Sequence, residues 1–337
     1  MIDLSTEYLG LKLKNPLVPS ASPLSRKLGD ARRLEDAGAA ALVMYSLFEE
    51  ELRTEDAMLD RFILDPSIGY AEARDFMPAP LDYRSGLDQY LEQIHALKAA
   101  LGIPVIASLN GVSLSGWVEL GTELEQAGAD ALELNVYYVA GDIGQSGAEV
   151  EQRYLDLLAA LRAKVSLPIV MKLAPQFSSL PHFVRRLEAA GAQGVSLFNR
   201  FFQPDIQLES LAIVDQLKLS SSADSLLAMR WLAILFGRTR LTLAATGGVH
   251  TAEDALKMLL AGADAVHMAS ALLAHGPARL TQVLQGIAAW MEAHEYDSVR
   301  QLRGSLSQKN QKDPSVFARE SYIRVLDSFS PPDSVWR

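Results

Sequence analysis

The sequence predicts a (β/α)8 barrel, and three observations carry that prediction. One phrase recurs four times in 337 residues: AGAAALVMYS from Ala37, AGADALELNV from Ala127, AGAQGVSLFN from Ala190 and AGADAVHMAS from Ala261. Each copy follows a helix-periodic segment and opens an apolar run of strand length. Between the copies lie four more strand-like runs: NPLVPS from Asn15, IPVIASL from Ile103, LPIVMKL from Leu167 and LTLAAT from Leu241. Strand and helix patterns thus alternate through eight units, which implies a parallel sheet. The closed eight-unit form usually takes about 250 residues before insertions. An open doubly wound sheet is the runner-up, but no Gly-x-Gly-x-x-Gly follows the first strand.

The elements follow in order. Before the first strand, LSTEYLGLKLKNP reads as a hairpin around Gly10, able to plug the barrel floor. In each AGA phrase the glycine suits a helix C-cap, where φ is positive and a Cβ would clash. Prolines in NPL, IPV and LPI suit strand starts, where a missing N–H costs little. Helical periodicity places helices near 29–37, 88–101, 115–127, 147–164, 178–190, 225–236, 251–261 and 277–294. The chain reads as a single domain, 1–337, with the barrel over about 15–295 and a C-terminal tail at 296–337. The end of that tail, SPPDSVWR, reads as a surface wrap or subunit contact. Two long segments, 47–87 after the second strand and 200–224 after the sixth, fall where barrel loops form lids and substrate walls.

Composition narrows the function classes. Nearly half of the residues, 49%, are apolar and 21% are charged, values that support a large core. The net charge of −10, without a basic run, argues against binding a nucleic-acid backbone. The most apolar run, LLAMRWLAILF, is short and contains Arg230, so no membrane span is expected. The N-terminus lacks the basic and apolar regions of a signal peptide. The absence of cysteine excludes disulfides, thiolate metal sites and a Cys nucleophile, and fits a cytoplasmic enzyme.

The strongest chemical signal is AATGGVHTAEDALKMLLAGADAVHMASAL, Ala244 to Leu272. A strand ends at Thr246, and Gly247 and Gly248 make a tight turn whose backbone can approach a phosphate. Thr251 can N-cap the next helix, with Glu253 and Asp254 in its first turn. The following strand ends at Ala269 and Ser270, adding a hydroxyl. In barrels the loops after strands seven and eight are the usual phosphate site. Lys172 closes the fifth strand in VMKLAP, where its ammonium must meet an anion, an electron-rich ligand or water. It serves either as a charge donor to a cofactor or as a Schiff-base nucleophile. In ELNVYY the period of two sets Glu133, Asn135 and Tyr137 on one face, and Leu132, Leu134 and Val136 on the other. The apolar set should meet the helices and the polar set the barrel interior. Asn199 and Asn110 end their strands in the same way. His250 is as readily a satisfied surface histidine as a phosphate contact, and His267 lies within the eighth strand. No histidine pair has metal-ligand spacing, so no catalytic metal is expected.

Taken together, NPLVPSAS, PVIASLNG, ELN, MKLAP and ATGGVHTAEDALKMLLAGADAVHMASALL resemble the dihydroorotate dehydrogenase family in order and spacing over most of the chain. The resemblance implies an FMN-dependent (β/α)8 barrel that oxidises dihydroorotate to orotate in pyrimidine synthesis. The start directly at the hairpin is similar to the soluble class, which implies a homodimer. Carried over, Thr246, Gly247, Gly248, Ala269 and Ser270 would hold the FMN phosphate. Ser20, Ala21 and Ser22 would lie beside the flavin ring. Lys172 would approach its N1–C2=O side and stabilise the reduced anion. Asn135 and Asn199 would bond the substrate ring or the flavin, and Asn110, at the equivalent strand end, is expected to meet the substrate.

Two departures from the family pattern matter. The family base, Cys or Ser, falls here on Tyr138, and a lysine at the end of the second strand is replaced by VMYS, with Tyr45 facing the substrate region. A nearby substrate asparagine appears as Ala140. A phenol of pKa about 10 is a poor base at neutral pH but can act as an acid. Tyr138 is therefore the expected catalytic acid of an ene-reduction, or else a packing residue. Further readings are a Schiff-base aldolase or isomerase using Lys172, and a flavin-binding barrel that has lost turnover.

Overall fold

The computed structural model describes residues 2–52, 54, 85–111, 117–200, 203–317 and 321–328. The chain opens with a hairpin of β1 (Thr6–Tyr8) and β2 (Leu11–Leu13), which turns at Leu9 and Gly10 with φ of 55° and 76°. Barrel strands follow as β3 (Leu17–Pro19), β4 (Leu42–Phe48), β5 (Val105–Asn110), β6 (Ala131–Asn135), β7 (Ile169–Leu173) and β8 (Gly194–Leu197). After a surface hairpin of β9 (Asp205–Gln207) and β10 (Ala212–Val214) come the last two, β11 (Thr242–Thr246) and β12 (Ala265–Met268). The eight barrel strands are ordered β3-β12-β11-β8-β7-β6-β5-β4, with parallel neighbours. The ring closes where Ala40 N–H donates to Leu17 O at 3.0 Å.

The expected helices are present, with ends shifted by one to a few residues: α1 (Leu28–Asp36), α2 (Gly86–Ala100), α3 (Trp117–Gln126), α4 (Gly147–Arg162), α5 (Leu180–Ala189), α6 (Ser225–Leu235) and α7 (Ala252–Ala261). The last expected helix is α9 (Ala278–Ala293), and a short helix that the sequence reading does not assign, α8 (Ser270–His275), precedes it, the two separated by Gly276, at φ 76°, and Pro277. The four AGA glycines, Gly38, Gly128, Gly191 and Gly262, all have φ between 93° and 129°, the backbone that turns each helix back toward its strand.

Period two sorts the core into layers. Leu132, Leu134 and Val136 face outward into the large cluster shared with the helices, where each fully buried aliphatic side chain contributes about 1.5–3 kcal/mol. Ala131 faces inward with Val18, Val43, Ile106, Val170, Ala244 and Ala265. Tyr8, Leu9 and Leu13 of the hairpin join that inner cluster, so the hairpin does plug the floor. The inward positions nearer the carboxyl ends are polar, which leaves the top of the barrel for chemistry.

Residues 200–224 hold more structure than the sequence reading assigns. The β9–β10 hairpin pairs Asp205 with Val214 and carries Ile206, Leu208, Leu211 and Ile213 in the open. Most of the other long segment, and the SPPDSVWR end, lie outside the described residues. The start of the tail returns to the N-terminus, where Asp3 N–H donates to Asp297 O at 2.9 Å.

Candidate active site

The carboxyl ends of the barrel strands surround a cavity of about 710 Å³. Its lining includes Ser20, Ala21, Ser22, Tyr45, Asn110, Asn135, Lys172, Asn199, Thr246, Gly247, Gly248, Ala269 and Ser270. Every site residue singled out in the sequence is therefore brought together, except Tyr138.

One end of the cavity is a glycine turn. Gly247 and Gly248 follow β11 with φ of 93° and 75°. A Cβ on Gly248 would stand 2.3 Å from Ser225 N, because residues 222–225 pack directly over the turn. That packing is fastened from below. Ser222 Oγ donates to Asp254 at 2.7 Å, and the N–H groups of His250 and Thr251 donate to the same carboxylate at 3.0 Å each. Burial alone would raise the Asp254 pKa, but these bonds together hold it below the ordinary carboxylate value. Thr251 completes the expected cap by accepting from Asp254 N–H. Ser220 N–H donates to Ser270 Oγ at 3.1 Å, and Ser220 Oγ lies 3.1 Å from His250 Nε2. Ser220 was not singled out from the sequence, although the polar run SSSADS, opening an apolar helix, was a usable signal for it.

The floor is charged. Lys172, only 6% exposed, reaches from β7 to within 3.2 Å of Glu133 Oε1 and 3.5 Å of Ser20 Oγ. Register sets Asn110 beside Asn135 and Asn135 beside Lys172 on adjacent strands. Asn199 follows β8 and donates to Asn135 Oδ1 at 2.8 Å. These three amides give the cavity donors and acceptors suited to a planar polar ring.

Within β4, Tyr45 packs edge-on against Tyr90, with ring centroids 4.9 Å apart. Arg26 lies 4.9 Å over the Tyr45 ring and also lines the cavity. A cation thus stands at this rim although the strand itself carries a tyrosine there. Burial raises the Tyr45 pKa, so its phenol stays protonated.

The adjacent tyrosines separate. Tyr137 lines the cavity. Tyr138, the expected acid, does not: its hydroxyl donates to Gln145 at 2.6 Å and its ring lies 4.4 Å beneath Arg153. The chain leaves regular strand geometry after Asn135, which turns the second tyrosine toward α4.

These residues fit FMN. The Cβ-free turn at Gly247–Gly248, with the Ser220 and Ser270 groups beside it, suits a phosphate, while Lys172 and the asparagines suit a polar ring system. The fold and site together define a (β/α)8 barrel with a glycine turn at one end of its cavity and a buried lysine at the floor. The dihydroorotate dehydrogenase family model matches residues 83–291. Among similar proteins, the dihydroorotate dehydrogenase B (NAD(+)) catalytic subunit of Thermoplasma acidophilum is 26% identical over 310 residues, covering 90% of this chain and 99% of that one. The putative dihydroorotate dehydrogenase A (fumarate) of Aeropyrum pernix is 26% identical over 310 residues, covering 90% and 97%. A Pyrococcus furiosus catalytic subunit named like the first is 26% identical over 313 residues, covering 91% and 100%. The chain belongs to the dihydroorotate dehydrogenase family, whose members are FMN-dependent oxidoreductases acting on a CH–CH bond.

Proposed function

We propose that this protein is an FMN-dependent oxidoreductase that converts dihydroorotate to orotate in pyrimidine synthesis. The observation that carries the reading is the convergence of the Gly247–Gly248 turn, Lys172 and three asparagines on one cavity in a chain of this family. When bound, FMN accepts the two electrons taken from the substrate CH–CH bond. Thr246, Gly247, Gly248, Ala269 and Ser270, with Ser220, hold its phosphate. Ser20, Ala21 and Ser22 flank the ring. Lys172 supplies a fixed positive charge, and Asn110, Asn135 and Asn199 orient the substrate. Arg26, stacked on Tyr45, offers a partner to the substrate carboxylate.

The proton side of the reaction is where a second reading has support. Tyr137 lines the cavity and a phenol donates a proton more readily than it removes one. That favours reduction of an activated C=C bond, with Tyr137 rather than Tyr138 as donor. The Schiff-base reading is disfavoured by the Lys172–Glu133 ion pair, since a paired ammonium is not a free amine nucleophile.

The protein acts on a small molecule in the cytoplasm as a homodimer, in this reading. Ile206, Leu211 and Ile213 are exposed at 65%, 85% and 76% on the β9–β10 hairpin, an apolar surface suited to a second copy. Among the described residues no helix is long and apolar enough to cross a membrane. Sedimentation of Leu211→Glu beside the parent chain tests the dimer, with monomer expected only for the variant.

The test of function is the visible spectrum of purified protein before and after anaerobic dihydroorotate. Flavin bands that bleach support the dehydrogenase. Flavin that stays oxidised turns the assignment toward enones.

A further inference from the structure

At the cavity floor and behind it stands a set of buried ionisable groups that the chemistry above leaves unused, His267 lining the cavity and Glu133 and Tyr8 lying behind it. Glu133 is fully buried, two residues below Asn135 on the inward face of β6, and its Oε1 accepts from Lys172 Nζ. Its Oε2 has no hydrogen-bond partner among the described residues and lies 3.9 Å from His267 Nδ1. His267 on β12 in turn meets Tyr8 of the floor hairpin edge-on, ring centroids 5.7 Å apart. Burial drives the His267 pKa down to about 4, against the pull of Glu133, so the ring is neutral at pH 7. Burial and the Glu133 charge push Tyr8 well up, so it stays a phenol. The set therefore holds one cation and one anion, Lys172 and Glu133.

A pair this deep adds little net stability, because desolvating both charges offsets their attraction. Its effect is on the space above. Lys172 lines the cavity while Glu133 lies behind it, so the carboxylate subtracts from the positive potential that a bound ring would meet. With one oxygen unbonded, that negative charge is not shared with any further donor among the described residues.

We propose that Glu133 is a positioning residue that attenuates the field of Lys172 and thereby sets how strongly bound FMN favours its reduced form. The inference rests on the FMN reading. Replacing the carboxylate by an amide leaves Lys172 its acceptor and removes only the counter-charge.

Sulfite is the probe, because it adds reversibly to oxidised flavin and the adduct is favoured by positive charge near the ring. FMN-loaded wild type, Glu133→Gln and Glu133→Asp are titrated with sulfite, and their two-electron potentials are measured against a reference dye. Glu133→Gln is expected to bind sulfite about tenfold tighter, with a potential about 30 mV higher if the same factor acts on reduction. Glu133→Asp, which withdraws the charge by one methylene, tightens binding roughly two- to threefold and carries the test if the amide variant does not fold. Unchanged affinity in the folded variant overturns the inference. So does weakened affinity, which would mean that Glu133 serves to keep Lys172 charged. A wild-type chain that takes up no FMN sinks the functional reading as well, whereas a flavoprotein indifferent to Glu133 sinks this inference alone.

Discussion

Asn199 donates its amide to Asn135 Oδ1 at 2.8 Å, tying the end of β8 to the end of β6. The bond leaves the Asn135 amide as a donor and the Asn199 carbonyl as an acceptor at the cavity wall, a complementary pair for a cyclic imide. Asn199→Leu is expected to raise KM for dihydroorotate more than it lowers kcat. Leaving one buried amide without its partner costs about 1–3 kcal/mol, roughly a five- to 150-fold effect. Steady-state kinetics decide it, and an unchanged KM removes Asn199 from substrate contact.

Gly248→Ala is expected to release the cofactor. The new methyl would meet Ser225 N at 2.3 Å on a backbone whose φ is 75°. The left-handed conformation alone costs about 1–2 kcal/mol, and the clash adds to it. Flavin fluorescence in the filtrate and a thermal melt read the two effects. Full FMN retention with wild-type Tm would mean that the 222–225 segment is not held against the turn.

The two tyrosines should behave differently. Tyr138→Phe loses the bond to Gln145, worth about 1 kcal/mol of stability, and leaves turnover near the wild-type rate. Tyr137→Phe is the substitution expected to change turnover and its pH profile. Parallel rate measurements on the two variants, with FMN content checked, distinguish them. A dead Tyr138→Phe enzyme would return the acid role to that residue.

His267 gives the fold an acid limb. Its folded pKa is lowered to about 4 by burial, against an ordinary 6.5, so the unfolded chain binds more protons between those values. Stability is therefore full above the upper value and is lost as pH falls toward the lower one, by roughly 3 kcal/mol in all. Urea midpoints across that window should drop for the wild type and stay flatter for His267→Gln. Equal slopes would show that the imidazole is not held neutral.

Much of this architecture was legible in the amino-acid order because each rule acts locally. The AGA phrases mark helix ends through backbone sterics, and alternation along ELN separates Leu132 and Leu134 from Glu133 and Asn135 without knowledge of the partner strands. The glycine turn after β11 and the cap at Thr251 are likewise short-range. What was not legible depends on chain returning from a distance. Arg26 lines the cavity from a distant loop, over the Tyr45 ring, and Ser220 from a loop that folds back onto Ser270. The acid role of Tyr138 comes from the family resemblance alone, whereas the period of two puts Tyr137 on the cavity side, where it stands. The His267–Glu133–Tyr8 set joins three strands that are far apart in sequence, and no local pattern announces it.

The bond from Ser222 to Asp254 has a bearing on how this barrel can be re-engineered. The segment over the glycine turn and the first turn of α7 share one carboxylate, though they are separated in sequence by a helix and a strand. Transplanting a foreign segment into positions 203–224 is therefore a two-site operation. A graft without a hydroxyl to meet Asp254 strands a buried charge at the glycine-turn end of the cavity, whereas one chosen together with residue 254 can diversify the mouth while the barrel beneath stays unaltered.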